Sequence, residues 1–202
     1  MDQVMDYVVD IENKISAYYN AAYAVFTLSC THSLSLCLTH TNAQNLVCPK
    51  QTSLNVPLLL IQKGVSYTLS DVQWERHYTL GNSNIIDAAV FWEPNGYINN
   101  SLMCLSFQNR KHLSVGGGGM ILTDDAAAYT ALKQLRDNAV SIMNQRTLNY
   151  YHNKAMMASQ TFDQVKDVPD PIVTYQHYND VTDTIARKAH IYLAAGLDVE
   201  SY

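Results

Sequence analysis

Apolar positions recur along this chain at two spacings, and the spacing changes where the elements change. Between residues 6 and 19 the side chains Val8, Ile11, Ile15 and Tyr18 return every three or four places, which predicts a helix with one buried stripe. The β-rich run YAVFTLS at 23–29 predicts a strand. THSLSLCLTH at 31–40 predicts a helix whose first turn follows that strand directly, and NLVCP at 45–49 a short strand closed by proline. TSLNVPLLLIQKG at 52–64 predicts a helix kinked at Pro57 and ended by glycine. Four more strands follow: VSYTLSDV at 65–72, NIIDAAV at 84–90, LMCLSF at 102–107 and GMILTD at 119–124. Several are apolar throughout, as strands are when helices cover both faces of a sheet. Residues 125–140 predict a helix opened by aspartate. The next stretch, NQRTLNYYHNKAMM, is polar and aromatic, DVPDP at 167–171 is a proline-rich break, and residues 178–195 predict a terminal helix.

This alternation predicts an α/β protein of three layers, a mainly parallel sheet covered by helices. The expected boundaries are an α/β domain over residues 1–140 and a small helical C-terminal extension over 141–202. With 202 residues, 48% of them hydrophobic, the chain can bury one sizeable core. A formal net charge of −5 and the absence of any basic run longer than Arg110-Lys111 argue against nucleic acid as a partner. Apolar stretches such as 21–28 and 56–61 are too short to span a bilayer, and the acidic start MDQVMDYVVDIE lacks a signal peptide's basic region. The expectation is a cytoplasmic protein without a membrane partner. Cys30, Cys37, Cys48 and Cys104 form no C-x-x-C pair and sit in apolar surroundings, which favours buried thiols and suggests no metal.

Four of the eight glycines fall together at 116–119, between a basic cluster and a strand. A run of four is costly to order unless the backbone needs positive φ or something must come close to it. Three stretches could carry chemistry. Lys111 follows Ser106 in SFQNRK: a serine at a strand end can bind phosphate, and a lysine beside it can form a Schiff base with an aldehyde cofactor. A loop lysine is more often simply solvated. Asp87 closes the apolar strand NIID, where its charge needs a partner such as a protonated ring nitrogen, or else it caps a helix. LSCTHS at 28–33 is a strand-to-helix junction whose amides and hydroxyls suit an anion, or an ordinary N-cap.

Together the three resemble one family. SFQNRKHLSVGGGGMILTDD is similar to the Schiff-base segment of the DegT/StrS sugar aminotransferases, S-F-x-x-x-K-x-L before a glycine-rich turn and a strand ending in T-[ND]-[DN]. IIDAA resembles the family's E-D-A-A-Q strand, LSCTHSLSL its N-S-G-T-x-A-L phosphate loop, and YYHNKAMMASQ its G-Y-N-Y-R-M segment. The resemblance runs over roughly residues 8–165 and is strongest from 85 to 138.

It implies a reduced fold-type I large domain that binds pyridoxal 5′-phosphate over residues 1–140. It also implies an aminotransferase acting on a nucleotide-linked keto sugar, with glutamate as amino donor, working as a homodimer. Lys111 would carry the cofactor and move the proton, and Asp87 would pair with its ring nitrogen. Ser106 and Thr31, with the amide of Cys30, would take its phosphate, and Asn153 would reach the same phosphate in the neighbouring subunit. The alternative is a non-catalytic homologue that keeps the dimeric scaffold for binding or assembly. A sugar dehydratase is a further reading that Lys111 argues against, since in those relatives histidine stands for the lysine, although His112 is adjacent. The chain departs from the family at Val90, where a glutamine is usual, and at Ser53, where an aromatic stacks on the ring. Phe91 or Trp92 would be candidates to supply that stacking. The segment before NIIDAA is also shorter, lacking a strand and helix.

Overall fold

The computed structural model describes residues 2–187. Its elements follow in the order α1 (Asp2–Tyr19), β1 (Tyr23–Thr27), α2 (Cys30–Thr41), β2 (Leu46–Pro49), α3 (Asn55–Gln62), β3 (Tyr67–Ser70), β4 (Tyr78–Thr79), β5 (Ile85–Asp87), β6 (Leu102–Ser106), β7 (Gly119–Thr123), α4 (Ala126–Ser141) and α5 (Gln145–Val165). A 3₁₀ turn, Tyr175–His177, comes last, and the chain is helical again from 182 to 187. The remainder of the predicted terminal helix lies outside the described residues.

Five strands form one sheet in the order β1-β7-β6-β5-β4, and β2 pairs with β3 beside it. Reciprocal hydrogen bonds between Val47 and Gly81, 3.0 and 2.8 Å, join the two pieces. β5 and β6 are parallel, as are β2 and β3, whereas β7 runs against both β1 and β6 and β4 runs against β5. β1, β2, β3, β5 and β6 therefore share one direction, and β4 and β7 oppose it.

The three layers follow from strand alternation. Val25, Ile85, Leu102, Cys104 and Ile121 face α2, α3 and α4. Their neighbours Phe26, Ile86, Met103, Leu105, Met120 and Leu122 face the other way, onto α1 and the α5 residues Tyr151, Ala155, Ala158 and Phe162. Glu12 of α1 and Arg136 of α4 close this second face through a buried ion pair of 2.9 Å. Arg136 also donates to the Tyr151 hydroxyl and to the Phe26 carbonyl.

Helix ends carry the local signals. The Ser29 side chain accepts from the His32 amide at the start of α2, and Asn42 ends it in the left-handed region at φ 49°. Asp125 caps α4 by accepting from Ala127 and Ala128. Pro57 does not kink a helix: α3 begins after Leu54, which places the proline in the first turn, where no intrahelical donor is lost. Strand β4 has no counterpart in the sequence reading. Tyr178 lies ahead of the terminal helix, as the residue closing the 3₁₀ turn.

Candidate active site

β1, β5 and β6 end at the same edge of the sheet, with β7 running between β1 and β6, and the chain leaves them as α2, as the turn after Asp87 and as the loop after Ser106. Binding sites in open α/β sheets lie at such carboxyl ends. Here the strand ends open onto a hollow in the surface. Lys111, Asp87, Ser106, Thr31 and Cys30 all line it.

Asp87 forms its floor and is 6% exposed. One carboxylate oxygen accepts from the Tyr78 hydroxyl at 2.7 Å. The other accepts from the Ala89 amide at 3.0 Å, with the Cys30 thiol 3.9 Å away. Burial pushes the Cys30 thiol well above its usual range, with the Asp87 charge adding to the effect, so the thiol stays protonated. All four cysteines are buried.

Opposite this floor stands the start of α2. The amides of Cys30 and Thr31 belong to its first turn and have no acceptor inside the helix. The hydroxyls of Thr31 and Ser106 border the same hollow and have no hydrogen-bond partner among the described residues. This donor set suits a phosphate.

Here the glycine run finds its reason. Gly118 sits at φ +94°, open to few other residues. At Gly119 a Cβ would fall 2.5 Å from the Ser29 carbonyl carbon and 2.6 Å from the Cys30 nitrogen. The close neighbour is thus the chain's own α2 N-terminus, which only a bare backbone lets β7 approach.

The loop carrying Lys111 is built around Phe107. The Phe107 carbonyl accepts from Val115 and Gly117, its amide donates to Gly118, and Leu113 and Val115 anchor the loop in the core. Half-buried Lys111 borders three adjoining hollows, the main one, a second behind it and a wider one toward Gly116.

His112 turns away from the main hollow. Its Nδ1 lies 3.1 Å from Asp170, its Nε2 lies 2.8 Å from the Val165 carbonyl, and its ring stacks on Trp92. Burial raises the Asp170 carboxyl above its usual range, with the His112 hydrogen bond pulling the other way. A histidine so engaged does not stand in for the lysine.

Val90 and Ser53 both line the main hollow, so the two departures from the family fall on its wall. Phe91 and Trp92 do not line it; they pack with Tyr19 and line the second hollow. The aromatics at the main hollow are Trp74, Tyr78 and Tyr178, with Trp74 5.3 Å from each of the other two rings. Arg76 joins them at φ 62°, ion-paired with Glu93. Sequence reasoning missed these four; the aromatic and charged run QWERHY at 73–78 was the available signal for Trp74, Arg76 and Tyr78, and no local pattern marked Tyr178. Asn153 lies exposed on α5, away from this lining.

Residues 95–165, from before β6 through α5, match a family model. The model is that of the DegT/DnrJ/EryC1/StrS aminotransferase family. No curated protein matches the chain in sequence. Among solved structures, DesI in the presence of its TDP-sugar product is 15% identical with a TM-score of 0.60, covering 79% of this chain and 54% of its own. An aminotransferase from Psychrobacter cryohalolentis is 12% identical with a TM-score of 0.57, covering 79% and 57%. A GDP-4-keto-6-deoxymannose-3-dehydratase is 11% identical with a TM-score of 0.56, covering 79% and 61%. At these identities the likeness is one of fold, that of the fold-type I aminotransferases. The chain spans little more than half the length of these structures.

Proposed function

We propose that this chain binds pyridoxal 5′-phosphate at Lys111 and acts as an aminotransferase on a nucleotide-linked keto sugar, with glutamate as amino donor. The observation that carries the reading is the convergence on one hollow of a lysine, a buried carboxylate, two unpartnered hydroxyls and the first amides of α2. When bound, the group supplies an electron sink for charge developing at the donor's α-carbon. Lys111 holds the aldehyde carbon and then moves the proton at that α-carbon. Asp87 accepts from the ring nitrogen and keeps it protonated. Ser106 and Thr31, with the amides of Cys30 and Thr31, orient the phosphate. Support for the substrate class comes from DesI, whose structure holds a TDP-sugar product, and from the GDP-sugar dehydratase.

The working unit in this reading is a cytoplasmic homodimer, in which the exposed Asn153 reaches the partner's phosphate. No helix among the described residues is long and apolar enough to cross a membrane. The presence of Val90 and Ser53 on the wall favours a second reading, a non-catalytic homologue that keeps the scaffold. One experiment separates the two. Wild type mixed with pyridoxal phosphate and reduced with borohydride should carry a stable adduct on Lys111, absent from Lys111→Ala. Failure of the wild type to form it removes the enzyme reading and leaves the scaffold.

A further inference from the structure

We propose that Tyr78 is the positioning residue for Asp87, donating the hydrogen bond that aims the carboxylate into the hollow. The proposal rests on the reading that the hollow takes pyridoxal phosphate. It concerns a residue from the shortened segment that the family motifs leave out.

The placement begins with strand register. Tyr78 stands directly opposite Asp87 across the antiparallel β4–β5 pair, so the two side chains leave the sheet on the same face. Both are 6% exposed, and Thr52 behind them is 3% exposed. A phenol has a single proton. Tyr78 gives that proton to Asp87 at 2.7 Å, so the Thr52 hydroxyl, in contact with the same phenol oxygen, is the donor to Tyr78. The result is a directed chain, Thr52 to Tyr78 to Asp87. Burial raises the Tyr78 hydroxyl well above its usual range, and it remains a donor throughout the working pH range.

Asp87 is then held from two elements, β4 through Tyr78 and the turn after β5 through Ala89, with Cys30 of α2 packed against it. A carboxylate offers about four acceptor directions. Two are taken by Tyr78 and Ala89, one on each oxygen, and the Cys30 thiol, which also lies 3.7 Å from the Cys104 carbonyl, packs beside a third. A carboxylate fixed in this way meets a ring N–H without reorganising, and preorganised acceptors of this kind are worth more than mobile ones.

The test is a cycle of two proteins and two ligands, read by equilibrium binding rather than by turnover. Wild type and Tyr78→Phe are titrated with pyridoxal phosphate and with its deaza analogue, in which C–H replaces the ring nitrogen. Loss of a charge-assisted hydrogen bond should weaken Tyr78→Phe about tenfold toward pyridoxal phosphate. Toward the analogue, which has no N–H for Asp87 to meet, wild type and variant should bind alike. Equal weakening toward both ligands would make Tyr78 a wall residue only and overturn the proposal, as would no weakening toward either. If wild type binds neither ligand, the cofactor reading itself has failed and the proposal falls with it. Thr52→Val provides the same test one bond further out, with about a threefold loss selective for pyridoxal phosphate, and decides the matter if Tyr78→Phe does not fold.

Discussion

The main hollow has two walls built in different ways. On one side stand β5, β6 and the Lys111 loop, whose strands are buried on both faces and whose chemical residues sit at strand ends or in a loop pinned by Leu113 and Val115. On the other side stand Trp74, Arg76 and Tyr78, around a strand of two residues and a non-glycine residue at positive φ. That second wall is tied down by segments far along the chain. Tyr175 and Arg76 exchange backbone bonds with Trp74 and Val173, and Val181 donates to Lys50, which brings Tyr178 to the rim. The first wall carries motif chemistry on a rigid sheet. The second supplies shape and aromatic surface through contacts that no local pattern marks.

Substitutions sharpen the contrast. The largest effect is expected at Asp87→Asn, which keeps size and most hydrogen bonding but removes the charge. Proton removal at the donor's α-carbon should slow about 10³-fold with cofactor still bound, as rapid-mixing absorbance would show. A near-normal rate would place Asp87 in the scaffold rather than the chemistry. Next comes Gly119→Ala, which forces a methyl group against the Ser29–Cys30 peptide. Urea unfolding should show a loss of about 3 kcal/mol, and a loss below ~1 kcal/mol would mean that the tight approach of β7 to α2 is dispensable.

Val90→Gln restores the residue type usual in the family and should tighten pyridoxal phosphate binding about threefold. Unchanged or weaker binding would show that the altered wall no longer presents that position to the cofactor. The smallest effect belongs to a surface site remote from both walls. Asp10 is held below its usual range chiefly by the Ser159 hydroxyl, with Lys14 adding to it. A carboxyl lowered in the folded state adds stability above the ordinary carboxylate range and loses it as pH falls through the lowered value. Asp10→Asn should therefore cost about 0.5 kcal/mol at neutral pH, and the gap from wild type should close on acidification. A gap that widens in acid would reverse that sign.

How legible each element was depended on whether its cause was local. The helices α1, α2 and α4 and the strands β1, β6 and β7 were readable because spacing, caps and unbroken apolar runs belong to the segment itself. Pro57 misled because a proline means a kink inside a helix and nothing unusual in its first turn, and the start of α3 is set by packing. β4 exists only through its pairing with β5 and the Val47–Gly81 bonds, so no local pattern tied Tyr78 to Asp87.

By itself the sequence determined the layered α/β order and the offsets of Ser106, Lys111 and the glycines from their strands, because chain connectivity carries those distances. Which residues share the hollow was decided only by the tertiary structure. Tyr78 meets Asp87 through strand register, Tyr178 arrives through the strap over Trp74, and His112 is withdrawn by Asp170 and Val165. Each of those outcomes turns on a partner remote in sequence, and burial in the folded core is what makes the partner count.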